Sequence, residues 1–129
     1  MIITIFSRER LYRTFEQWEV PRDFADPMAN YLIYGYEPGS CFMAVLANDF
    51  IGAVRSSHPS NTITAFKALA GWIHSHVPPQ AYGSYDRVNA WCDLSSEDRR
   101  AILERNRLIY TSKEEVWMGL KGYEYEEIA

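Results

Sequence analysis

Proline sets the first limit on what this chain can become. Pro21, Pro27, Pro38, Pro59 and the pair Pro78-Pro79 recur through the first two thirds of the 129 residues. Each removes a backbone donor and pushes the residue before it out of helical conformation. What lies between them is a set of short segments whose apolar residues recur with helical period.

Ile2–Phe6 is apolar and β-branched and reads as a short extended segment. Ser7 then caps a helix over Arg8–Glu19, with Leu11, Phe15 and Trp18 on one face, which Val20-Pro21 ends. A second helix covers Arg22–Tyr34 and carries Phe24, Met28, Tyr31 and Leu32. With Asp26 as N-cap and Pro27 at the first helical position, Arg22–Ala25 is a looser turn, and Gly35 supplies the left-handed residue that closes the helix. Glu37-Pro38-Gly39-Ser40 is a turn and cap for a third helix over Cys41–Arg55, the most apolar part of the chain. His58-Pro59-Ser60-Asn61 breaks it and caps a fourth helix, Thr62–Val77, with Ile63, Phe66, Ala70, Ile73 and Val77 on one side.

After the loop at Tyr82-Gly83, Ser84 opens a short helix bearing Val88, Trp91 and Cys92. Ser95 with Asp98 forms a short-armed capping box for a charged helix to Leu108. Ser112 with Glu115 is a capping box for a last helix holding Val116, Trp117 and Leu120, which Gly119 weakens and Gly122 ends. The tail Tyr123–Ile128 alternates aromatic with acidic residues, and either pairs as a strand with Ile2–Phe6 or frays. The expected fold is all-α or nearly so: a compact bundle of about five to seven short helices, with a small two-stranded edge from the termini. Residues 1–129 form a single domain, with no internal repeat or linker.

Apolar residues make up 47% of the chain and aromatic residues 15%, enough for one core with aromatic side chains left over for a protein-binding face. The net charge of −4, from 13 basic and 17 acidic residues, lacks the basic excess by which a duplex binder replaces phosphate counterions. Cys41 and Cys92 are the only cysteines and read as reduced thiols. No stretch approaches the roughly 18 apolar residues of a membrane span, and the N-terminus has no secretory signal pattern. A soluble, cytoplasmic protein is expected.

Three short motifs in order carry a resemblance: Glu37-Pro38-Gly39-Ser40, then Ala44-Val45-Leu46-Ala47-Asn48-Asp49-Phe50, then Tyr82-Gly83-Ser84 with Val88 and Trp91 behind it. The pattern resembles a family of small bacteriophage and prophage proteins built as a helix, PGSF, AVLxNDL, a second helix, an aromatic-Gly-Ser turn and a short helix with Trp. The likeness covers Val20–Trp91, so 20–92 is the family-like core and 1–19 and 93–129 are flanks. Cys41 stands where the pattern has phenylalanine. The resemblance implies a phage origin and a compact helical fold, and brings no catalytic residues with it.

Asp49 is the most informative residue. On a continuous third helix it shares an arc with Phe42, Val45, Leu46, Phe50 and Ala53, and a carboxylate among them needs partners. The structural reading has it accept backbone N–H bonds, from the loop around Asn61 or from Gly83-Ser84; the functional reading makes it a polar site with Asn48 at the mouth of the bundle. Trp72 lies roughly 100° from the centre of its helix's apolar stripe. Exposed beside Tyr82 or Tyr85, it would form a patch for a partner, so Asn48, Asp49, Trp72, Tyr82 and Tyr85 are the candidate partner-binding residues.

Cys41 at a helix start has the placement that lowers a thiol pKa, but a nucleophile also needs an oriented base, for which His58, His74 and His76 stand as candidates. A small, semi-buried side chain is the preferred reading. His74 and His76 diverge by ~200° on one helix, and no metal motif supports a site. Arg99, Arg100, Arg105 and Arg107 interleave with Glu97, Asp98 and Glu104, as on a solvated face with salt bridges. The function expected is that of a small phage accessory protein, without catalysis, metal or cofactor. It binds a host or phage protein, such as a defence or replication factor. A nucleic-acid-associated regulator is the alternative, a thiol enzyme a weaker one, and a homo-oligomer is compatible with the sequence.

Overall fold

The computed structural model describes residues 3–4, 8–58, 61–106 and 108–109, with side chains at 11–58 and 61–106. Its elements are β1 (Ile3–Thr4), α1 (Arg8–Gln17), a 3-10 turn at Arg22–Phe24, α2 (Ala25–Tyr34), α3 (Ser40–Leu46), α4 (Phe50–Ser56), α5 (Ile63–His76), a 3-10 turn at Pro79–Ala81, α6 (Tyr85–Asp93), α7 (Ser96–Arg105) and β2 (Leu108–Ile109). The described residues form an all-α bundle of seven short helices. No helix among them is long and apolar enough to cross a membrane.

The helix ends follow local chemistry. Thr62, Ser84 and Ser95 each accept a backbone N–H three residues on, from Ala65, Arg87 and Asp98, and start α5, α6 and α7. Thr62 is thus the cap of α5 rather than its first residue. Gly35 closes α2 in the left-handed conformation, φ 67°. The first helix stops earlier than expected because Glu19 takes the same conformation, φ 58°. Val20 N–H then bonds Phe15 carbonyl oxygen at 2.8 Å and Glu19 N–H that of Glu16 at 3.1 Å, the paired bonds of a Schellman stop.

Three expectations are corrected. Asp26 is not an N-cap: α2 begins at Ala25 after the 3-10 turn, and Pro27 sits in the first turn, where a missing N–H costs nothing. α7 ends at Arg105, with Asn106 at its cap. Leu108, expected to end that helix, instead forms with Ile109 a strand that pairs in parallel with Ile3–Thr4. The helix expected after Ser112 and the segment Tyr123–Ile128 lie outside the described residues.

The core joins Leu11 and Phe15 of α1, Tyr31 and Leu32 of α2, Trp72 of α5 and Trp91 of α6. Phe15, Phe42, Phe66 and Trp91 are buried, while Trp18 is half-buried. Burying amphipathic aromatics requires partners for their polar atoms. The Tyr31 hydroxyl donates to Ala81 carbonyl oxygen at 2.6 Å, and Trp91 Nε1 donates to that of Tyr31 at 3.1 Å. Burial pushes the Tyr31 pKa far above the usual phenol range, so the hydroxyl remains a donor.

Arg99 departs from the solvated face expected of its helix. It is 4% exposed, and its guanidinium reaches the ends of two other helices. Nε donates to Ile33 carbonyl oxygen at 3.2 Å and Nη2 to that of Tyr34 at 3.0 Å, at the end of α2. Nη1 donates to the carbonyls of Trp91 and Leu94, at the end of α6. A Cβ on Gly35 would stand 2.5 Å from Arg99 Nη1, so glycine there serves both the left-handed turn and the approach of the arginine. Arg100 behaves as expected and pairs with Glu104 at 3.1 Å.

His76 is buried between Trp18 and Trp72, with ring centroids 5.3 and 5.0 Å away. Its Nε2 and Trp72 Nε1 find no hydrogen-bond partner among the described residues. Burial holds the His76 pKa down to about 4, so the ring is neutral at physiological pH.

Two outcomes follow from these buried groups. Arg99→Ala orphans several carbonyls together and should cost at least about 3 kcal/mol in denaturant melts. Arg99→Lys should recover only part of that, because one ammonium cannot span both helix ends. For His76, the folded pKa lies below the ordinary 6.5, so the unfolded chain takes up the proton first. Stability is then full above pH 6.5 and falls as the pH drops toward 4, by about 2 kcal/mol at pH 5. Melts of His76→Leu beside wild type should show the loss between pH 7.5 and 5 shrinking in the variant.

Candidate functional site

The third helix expected over Cys41–Arg55 is two helices, and the break creates the site. Asn48 takes a left-handed conformation, φ 62°, which asparagine tolerates better than other side chains. Asp49 N–H bonds Ala44 carbonyl oxygen at 2.8 Å and Asn48 N–H that of Val45 at 3.2 Å, again a Schellman stop. Asp49 is at once the N-cap of the next helix, its Oδ1 accepting Gly52 N–H at 2.9 Å. A Cβ on Gly52 would collide with that carboxylate, so glycine makes the cap possible. The apolar periodicity runs straight through this stop and start, which is why it reads as one helix in the sequence.

The break turns α4 so that it buries Ala53 and leaves Phe50, Ile51 and Val54 exposed at 63, 74 and 39%. Between the α3–α4 hairpin and α5 lies an apolar groove of about 300 Å³. Val45, Phe50 and Ala53 line one side, Ile63, Phe66 and Ala70 the other, with Asn48, Asp49 and Lys67 as its polar members. The stripe expected to bury Ile63 and Ala70 therefore divides: α5 turns Leu69, Trp72, Ile73 and His76 into the core, while Ile63 is 57% exposed and faces the groove with Ala70.

At the polar part of the groove the Tyr85 hydroxyl, from the first turn of α6, donates to Asp49 Oδ2 at 2.6 Å. That bond and the one from Gly52 hold the Asp49 carboxyl below the usual carboxylate range, and the same contact pushes the Tyr85 pKa up. Asp49 is thus an anchor, as the structural reading has it, but through Gly52 and Tyr85 rather than the loops at Asn61 or Gly83-Ser84. Gly83 N–H instead bonds Leu46 carbonyl oxygen at 2.8 Å, tying the α6 entry to the end of α3.

The candidate residues separate accordingly. Asn48, Asp49 and Tyr85 come together at the groove. Trp72 does not join them: it is fully buried, with Phe15 meeting it edge-on at 4.9 Å, because α1 packs against that face of α5. Tyr82 is half-buried and turned to α5, its hydroxyl 3.2 Å from His74 Nδ1. Sequence reasoning missed Phe50 and Ile63 as surface residues, since the single long helix and the single stripe placed both inside.

Cys41 lies in a second, wider cleft of about 710 Å³ with Asp23, Ser40, His58 and Asn61. Its thiol donates to Ala53 carbonyl oxygen at 3.5 Å, and burial pushes its pKa up, the reverse of helix-start activation. His74 and His76 face apart, one exposed and one buried. Compared with known proteins, the chain matches no protein-family model, no curated protein and no solved structure.

The Asp49 anchor has a measurable signature. Tyr85→Phe should bring the Asp49 carboxyl, followed by NMR titration, back up toward the usual range. Because the folded pKa is depressed, the cap's stabilisation is present above the ordinary value of 3.8 and is lost as pH falls through the folded one. Asp49→Ala should therefore lower the melting temperature at pH 7 more than Asp49→Asn, which keeps an acceptor for Gly52. The gap between wild type and Asp49→Ala should narrow as the pH falls below 3.8.

Proposed function

We propose that this chain is a non-enzymatic protein-binding domain whose docking face is the groove between the α3–α4 hairpin and α5. The observation that carries the reading is exposure: Phe50 and Ile63 stand open to solvent on the walls of one apolar groove, and Ile51 and Val54 are exposed on the same short helix as Phe50. Scattered surface apolar residues are ordinary, but a contiguous patch beside a pocket marks an interaction surface. The fixed Asp49–Tyr85 pair at its polar part supplies orientation, as polar groups do in an otherwise apolar interface.

The resemblance of Val20–Trp91 to phage and prophage proteins sets the proposed setting: the cytoplasm of a bacterial host. A defence or replication factor there is the kind of target that a small blocking domain occupies. Two observations weigh against the alternatives. Arg99 is buried on carbonyls and Arg100 is paired with Glu104, which leaves α7 little basic surface for nucleic acid. The Cys41 thiol is bonded to Ala53 and burial raises its pKa, which disfavours the thiolate a thiol enzyme needs.

Phe50→Glu and Ile63→Glu test the reading, since both side chains are exposed and their replacement spares the core. Each variant should keep the wild-type circular dichroism and lose a protein captured from infected cells by the wild-type chain. The complex should persist in ~0.5 M salt, which screens exposed charges but not apolar contact. Capture unchanged in both variants sinks this assignment of the face. A captured species that is nucleic acid and leaves steeply with salt favours the alternative.

A further inference from the structure

A pair of stacked tyrosines stands outside the groove. Tyr34 and Tyr36 are 44 and 61% exposed, and their rings lie 5.4 Å apart with 26° between the planes. The backbone beneath them is held by the paired bonds of the α2 stop. Gly35 N–H bonds Tyr31 carbonyl oxygen at 3.0 Å, and Tyr36 N–H that of Asn30 at 3.2 Å. Arg99 adds a third hold, because the guanidinium that takes the Tyr34 carbonyl also takes the Leu94 carbonyl and the Ser96 hydroxyl. The tyrosine pair is therefore fixed against the junction of α6 and α7.

The exposed charges at that junction are of one sign. Glu37 follows the pair in sequence, Asp93 ends α6 and Glu97 lies in the first turn of α7, and all three are exposed. Burial and then the charges of Glu37 and Asp93 push the Cys92 thiol pKa up, which places both carboxylates beside the end of α6. Among the described residues none of the three carboxylates pairs with a cation. Arg99 does not serve them, since it is buried and donates to carbonyls and to Ser96.

An open aromatic face can receive a nucleobase or a cation. The surrounding carboxylates decide between them, because they repel a phosphate backbone and attract positive charge. A guanidinium suits the place better than an ammonium. It is planar and weakly hydrated, and can lie on a ring while its edge donates to a carboxylate. We propose that Tyr34 and Tyr36, with Glu37 and Asp93, form a second docking face that takes an exposed arginine of a partner protein. The guanidinium lies on the outer face of Tyr36 and donates to Glu37 or Asp93. This face shares no residue with the groove, and it stands whether or not the groove is a docking site.

NMR amide shifts of the full chain, followed while a capped Gly-Arg-Gly-Arg-Gly peptide is added to ~20 mM, read this directly. Shifts should concentrate at residues 34–37 and 92–97, and Gly-Lys-Gly-Lys-Gly should bind at least ~2-fold more weakly. Tyr36→Ala should weaken the arginine peptide by ~3-fold or more, the scale of an exposed cation–aromatic contact. Tyr36→Phe keeps the ring and should bind as wild type does, as should the groove variant Phe50→Glu. Circular dichroism should show all three variants folded. No shift at these residues up to the highest concentration overturns the proposal. Equal shifts with both peptides that survive Tyr36→Ala also overturn it, as unspecific attraction of charge. A short oligouridine that shifts residues 34–37 where the arginine peptide does not overturns it in favour of base stacking. Arginine-peptide binding that fails while Phe50→Glu and Ile63→Glu still lose the captured protein overturns this face alone.

Discussion

The guanidinium of Arg99 is the constraint on which the bundle's second half depends. Short helices leave a large share of their backbone carbonyls unpaired, because the last turn of each has no intrahelical donors. α2 and α6 have ten and nine residues, so their ends are a substantial fraction of their length. One arginine on α7 supplies donors to both ends at once, and places a positive charge where both helix dipoles are negative. Trp91 and Tyr31 continue the same fastening from α6 to α2 and from α2 to the 3-10 turn after α5. Fully satisfied polar links of this kind set a unique register that interchangeable aliphatic contacts do not.

That register reaches the groove. The turn after α5 leads to Gly83, whose N–H holds the end of α3, and then to Tyr85, whose hydroxyl holds Asp49 at the start of α4. The α3–α4 break is thus braced from outside by α6, which is in turn braced by Arg99. A chain of hydrogen bonds links the core to the orientation of the exposed α4 face. The groove is a consequence of tertiary fastening as much as of the local stop at Asn48.

Much of this was legible in the sequence because it is local chemistry. Gly35, Ser84 and Ser95 act at the helix ends where their side chains, or the lack of one, predict. The break at Asn48-Asp49 was equally local, an asparagine fit for the left-handed turn followed by a capping aspartate, but the apolar period across it was the louder signal. Glu19 gave no signal, since glutamate is an unusual occupant of the left-handed turn and is held there by the burial of Val20 behind it. Arg99 was hidden for another reason: among charged neighbours an arginine looks solvated, and only the positions of two other helix ends show what it reaches. The cost of an unpartnered carboxylate raised the anchor reading of Asp49 beside a binding one, whereas its partner Tyr85, 36 residues away, required the fold.

The width of the apolar arc on α5 explains why the groove is open at all. At ~100° per residue, the residues from Trp72 through Ala65, His76, Leu69, Ile73 and Phe66 to Ala70 and Ile63 sweep about half the helix circumference. A helix packed against one core needs a stripe little wider than about 100°. The first part of this arc is covered by α1 and the rest of the core, as the burial of Trp72 and Ile73 shows. The remainder, at Ile63 and Ala70, is left in the groove with Phe66 on the border between the two. Lys67 stands just beyond the arc, where polar sequence resumes. Among the described residues the apolar face of α5 thus extends past what the bundle covers and stops at a charge, and it is on this excess that the proposed docking face rests.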